Sequence, residues 1–106
     1  MATPLAMNTA ANREEVVREA HAQGCPDMTL SIAGGLLQYS AMPAGEAKTD
    51  VETLARRLDA TYGCGCHMAL GMAHLTTTSN PALARSLTAE PAVRSLLPRL
   101  PGPWRR

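Results

Sequence analysis

Phenylalanine is absent from this chain, and the other aromatics are sparse, with two tyrosines and one tryptophan in 106 residues. A core without large aromatic rings must be filled by Ala, Leu, Val and Met, and six methionines supply side chains that adapt to irregular gaps. Lysine is almost missing, since nine of the ten basic residues are arginine. Arginine is enriched at partner surfaces, but a GC-rich bacterial or phage genome produces the same bias. Cysteine occurs three times, an odd count that does not fit a secreted disulfide scaffold. No stretch approaches the roughly 20 apolar residues of a membrane span. The opening Met-Ala-Thr-Pro-Leu-Ala-Met-Asn has no basic start followed by an apolar run, so it does not read as a signal peptide. These absences point to a cytoplasmic protein with reduced thiols. The phosphate-binding loop, Gly-x-Gly-x-x-Gly and His-Glu-x-x-His are missing as well, which removes the main motif-bearing nucleotide and zinc-protease classes.

What is present fits one globular domain over residues 1–106, 45% hydrophobic and 18% charged. The net charge of +1 is unevenly spread. Residues 1–50 hold three basic against six acidic residues, and residues 51–106 hold seven arginines against three acidic residues. The second half is therefore the basic one.

The strongest local pattern is at residues 28–42, where two apolar runs flank Gly34-Gly35. Gly-Gly suits a two-residue hairpin turn, which needs positive φ. The implied register sets Ala33 against Leu36, Ile32 against Leu37 and Leu30 against Tyr39. One face then collects Met28, Leu30, Ile32, Leu37, Tyr39 and Ala41, and the other Thr29, Ser31, Ala33, Leu36, Gln38 and Ser40.

Around this hairpin, Asn12 and Glu15 form a capping-box pattern that opens a helix over about 12–23, closed by Gly24 and Pro26. Thr49 and Glu52 form a second, opening a helix over 49–62. Val51, Leu54, Ala55, Leu58 and Tyr62 fall on one helical stripe there. Residues 64–78, with a strand expected over about 66–77, fit two patterns. Helical spacing aligns Met68, Met72 and Leu75, while a strand puts Met68, Leu70, Met72 and His74 on one face. The two glycines and Thr76-Thr77-Thr78 favour the strand. Two short helices follow over 80–97. Residues 1–8 read as a mobile lead-in, and the Pro- and Arg-rich 98–106 as an irregular tail. The expected fold is α+β: a small three-stranded antiparallel sheet, covered on its apolar face by helices 12–23 and 49–62.

Three sets of residues carry chemistry. Cys64, Cys66, His67 and His74 are soft or borderline donors of the kind that bind zinc or copper, and Cys25 or His21 would have to complete the set. Buried Cys behaving as a small apolar residue is the structural alternative. A Cys25–His21 nucleophile pair is disfavoured, because Cys25 follows a helix C-terminus, whose partial negative charge opposes a thiolate. Glu14 and Glu15 diverge on a helix and cannot act as paired acid and base. No catalytic residue is assigned. The uncharged face bearing Thr29, Ser31, Gln38 and Ser40, together with Arg85 and Arg94, forms the expected partner-binding surface, for another protein or a second copy of the chain as a homodimer. The short C-terminal helices offer too few base-reading groups for nucleic acid.

The functional expectation is a small non-enzymatic interaction protein that binds and regulates or inhibits a macromolecular partner. Inhibitors carried by phages and mobile elements, anti-CRISPR proteins among them, share this size and lack of motifs, and the comparison rests on nothing more. The alternative is a soft-metal or thiol-based binding protein built on the Cys64, Cys66, His67 and His74 cluster.

Overall fold

A computed structural model describes residues 9–63 and 65–77, together with residues 82, 85, 89 and 94. Four helices are bounded among the described residues, α1 (Ala10–Ala22), α2 (Leu30–Ala41), α3 (Glu46–Tyr62) and α4 (Cys66–Thr77), and residues 82, 85 and 94 are helical as well. Among the described residues there is no strand. The architecture is therefore all-α, and the expected α+β fold with a three-stranded sheet is overturned. The lead-in 1–8 and the tail 98–106 lie outside the described residues, as do most positions of the expected helices at 80–97.

α1 is capped by Thr9, whose Oγ1 accepts a hydrogen bond from Asn12 N at 3.2 Å. The cap is thus three residues earlier than the Asn12 pattern implies. At its other end the chain turns through Gly24 at φ 93°. Gly24 N donates to His21 O at 3.1 Å and Cys25 N to Ala20 O at 2.9 Å. This paired closure of the last turn needs a left-handed residue, which glycine supplies without a Cβ clash. It also turns Cys25 inward, where it is buried with Ala20.

The expected hairpin is one helix, α2. Thr29 is its N-cap, with Oγ1 accepting from Ile32 N at 3.3 Å. Gly34 and Gly35 lie in mid-helix and make no turn. Glycine costs a helix roughly 0.5–1 kcal/mol relative to alanine, so the pair needs a compensating contact. Gly35 and Gly71 supply it. An ideal Cβ on Gly35 would stand 2.5 Å from Gly71 O and 2.6 Å from Leu75 Cγ. An ideal Cβ on Gly71 would run into the Ile32 carbonyl oxygen, with Leu36 Cβ at 3.2 Å. The two helices pack closely here because neither glycine carries a side chain.

The expected strand at 66–77 is α4. Met68, Met72 and Leu75 are buried on it, and so are Ala69 and Ala73 from the other side of the strand pattern. An apolar helix buried on several sides is a central element. The threonines that favoured a strand sit in its last turn. There Thr76 Oγ1 donates to Ala73 O at 3.0 Å and Thr77 Oγ1 to the same oxygen at 3.1 Å, so the hydroxyls are satisfied within the helix.

α4 packs against α2 and α3, and α1 packs on α2. α3 buries Val51, Leu54, Ala55 and Leu58 at the spacing of a single helical face. It starts one turn before Thr49, after Gly45, and Thr49 Oγ1 donates back to Gly45 O at 3.0 Å. Gly63 closes it at φ 65°. No helix among the described residues is long and apolar enough to cross a membrane.

Candidate functional site

Two cavities flank the first turn of α4. One, of about 250 Å3, lies between α1, the link after it, α2 and α4. Its lining includes Cys25, Met28, His67 and Met68. Met28 and Met68 are buried, while His67 is exposed. The link is pinned by local bonds: Met28 N donates to Cys25 O at 3.3 Å, and His21 Nε2 donates to Met28 O at 3.0 Å.

The other cavity, of about 290 Å3, is lined by Tyr39, Glu52, Arg56, Asp59 and Cys66, among others. Tyr39 Oη donates to Glu52 Oε2 at 2.7 Å. That bond, burial and the negative charge of Glu52 hold the phenol proton, and the Tyr39 pKa is pushed up to about 12. Lys48 Nζ stands 4.9 Å over the Tyr39 ring and donates to Met42 O at 3.2 Å. Asp59 Oδ1 is buried with no hydrogen-bond partner among the described residues.

The helical fold redistributes the residues expected to form a partner surface. Thr29 is a helix cap, and Ser31 is half-buried in the first turn of α2. Gln38 Oε1 accepts from His74 Nε2 at 3.0 Å, tying α2 to α4. Ser40 is exposed and donates to Leu36 O at 3.0 Å. On a helix, Ser31 and Ser40 point to opposite sides. The four residues therefore do not share the single face that the hairpin register implied. Arg85 and Arg94 are exposed.

The expected metal set is also divided. Cys66 and His67 open α4 but line different cavities, and His74 is engaged with Gln38. Cys64 lies outside the described residues. Among the described residues no three His, Cys, Asp or Glu side chains come together to hold a metal.

His74 has a consequence of its own. With Nε2 as donor, Nδ1 is the unprotonated nitrogen, and it is buried without a partner among the described residues. Burial holds the imidazole below its usual 6.5. As pH falls below that value, the unfolded chain takes up a proton that the folded chain refuses until lower pH, so stability declines on acidification. Thermal midpoints measured from about pH 7.5 to about pH 5 should decline less steeply for His74→Gln than for the wild type. Carboxylates titrate in both proteins, so the difference between the curves isolates His74, and parallel curves would refute this assignment.

The arrangement unites residues far apart in sequence. Tyr39–Glu52 and Gln38–His74 carry no motif, and only the helix pairing reveals them. The class so defined is a small helical protein with two modest cavities at the start of its central helix. No protein-family model matches the chain, and no curated protein or solved structure matches it.

Proposed function

We propose that this chain is a non-enzymatic helical module that binds and regulates or inhibits a protein partner presenting an acidic surface. One observation carries the reading. Four of the seven arginines in the basic second half fall among the described residues, and all four (Arg56, Arg57, Arg85 and Arg94) are exposed. Arginine is the cation best suited to such a surface, because its planar fork meets carboxylates bidentately and is weakly hydrated. A protein partner is favoured over nucleic acid by the net charge of +1, far from the strongly basic balance of a nucleic-acid-binding domain.

The test begins with the tagged chain recovered from its own host and a co-purifying protein identified by native mass spectrometry. Binding and the partner's activity are then measured with purified components. Arg57→Glu with Arg94→Glu should weaken binding at least about tenfold and abolish the effect on the partner, with the circular dichroism spectrum unchanged. Affinity should also fall with added salt. Unaltered binding by the double variant, or nucleic acid as the only recovered ligand, would overturn the proposal.

A further inference from the structure

The cavity beside α1 is lined by four soft or borderline donors, Cys25, Met28, His67 and Met68. We infer that it is a site for one Cu(I) ion, bound by the Cys25 sulfur and the thioethers of Met28 and Met68, with His67 at its mouth.

The argument starts from the link. The glycine closure of α1 fixes Cys25, and the hydrogen bonds of Met28 N to Cys25 O and His21 Nε2 to Met28 O fix Met28 three residues later. Cys25-Pro-Asp-Met28 is thus a Cys-x-x-Met turn with both sulfur side chains buried against one cavity. Across it, the first turn of α4 brings His67 and Met68 to the same space. The donors come from two segments held together by the α2–α4 crossing.

Chemistry selects the ion. Thiolate, thioether and imidazole are the ligands that prefer Cu(I), whereas carboxylate and water suit harder ions. Binding breaks the Cys25 S–H bond, forms an S–Cu bond and releases the proton to solvent, and copper stays Cu(I) throughout. A thiolate with Cu(I) sums to zero charge, and the thioethers add none. The loaded site therefore adds no net charge to a cavity whose lining also holds Glu19, Gln23 and Ser40 beside the apolar groups. Zn(II) on the same donors would leave one positive charge. The lack of three converging His, Cys, Asp or Glu groups among the described residues also points away from zinc, which takes four such ligands.

The experiment is an anaerobic titration of the full chain with Cu(I) against a chromophoric Cu(I) chelator, repeated with Ag(I). One equivalent should bind. Cys25→Ser should weaken binding about 100-fold, and Met28→Leu or Met68→Leu about tenfold, as expected for losing a ligand from a small set. Cys64→Ser and Cys66→Ser should leave it unchanged, and Zn(II) should not compete. Because Cys25→Ser removes a buried side chain, the wild-type protein supplies the independent readout. Ag(I) should shift the methyl carbons of Met28 and Met68 and leave that of Met72 in place. Loss of binding in Cys66→Ser with Cys25 intact, metal uptake without Met28 and Met68 shifts, or no uptake at all would each overturn the inference.

Discussion

Alanine in place of Gly71 should destabilise the fold by about 3 kcal/mol, at the upper end of the cost of overpacking a core. The sign is the informative part. Alanine is a better helix former than glycine by about 1 kcal/mol, so an uncrowded helix would gain stability from the change. Here the new methyl meets the Ile32 carbonyl oxygen, which belongs to the backbone of α2 and cannot rotate away. Gly35→Ala should behave alike, because its methyl would meet Gly71 O at 2.5 Å. It would also meet Leu75 Cγ at 2.6 Å, which invites a trial of relief by Leu75→Ala. That second change should not restore stability, because the carbonyl of Gly71 remains in place. Urea unfolding would show a midpoint lowered in all three proteins with a similar slope. At Gly45, in contrast, a Cβ meets nothing within 4 Å, and no comparable clash follows from substitution there.

Leu58→Ala should be strongly destabilising. Leu58 is 1% exposed and belongs to the stripe that seats α3 on α4. Removing a buried leucine to the Cβ costs about 2–5 kcal/mol, depending on how far the surroundings collapse into the space. Domains of ordinary size are stable by only about 5–15 kcal/mol in total. The variant should therefore unfold at markedly lower urea concentration, while the neighbouring Arg57→Ala, an exposed change, should stay within about 0.5 kcal/mol of the wild type. Equal effects at the two positions would mean that α3 does not bury this face.

These two sites also explain what could be read from the residues alone. α3 buries one face only, so Val51, Leu54, Ala55 and Leu58 keep the helical period visible in sequence. The end of α1 was equally visible in Gly24 and Pro26, since few structures other than a helix stop use that pairing. α2 and α4 hid themselves for the opposite reason. Both are apolar around most of their circumference, which blurs the difference between periods of two and 3.6. Gly34-Gly35 then read as a turn, because a turn and a close helix contact both ask for a missing Cβ. Its second role became legible only with Gly71 alongside. The threonines at the end of α4 misled in the same way, with their β-branches read as strand preference while their hydroxyls bond within the last turn.

The site followed the fold. Cys66 and His67 are neighbours in sequence, yet they belong to different cavities, since adjacent residues point in different directions. Cys25 and His67, more distant in sequence, line one. Once the sheet is replaced by helices, the uncharged hairpin face disappears, and Gln38 becomes a bond to His74. The exposed arginines of the second half do not depend on that change, and for that reason they carry the proposed partner surface.

The most direct test of the helical crossing is a backbone and methyl NMR assignment of residues 28–42 and 66–77. Helical α-carbon shifts should run through both segments. Contacts should join the Gly35 α-protons to the Leu75 methyls and the Gly71 α-protons to the Ile32 γ-methyl. Extended-chain shifts, with cross-strand contacts pairing Ala33 with Leu36 and Leu30 with Tyr39, would contradict it.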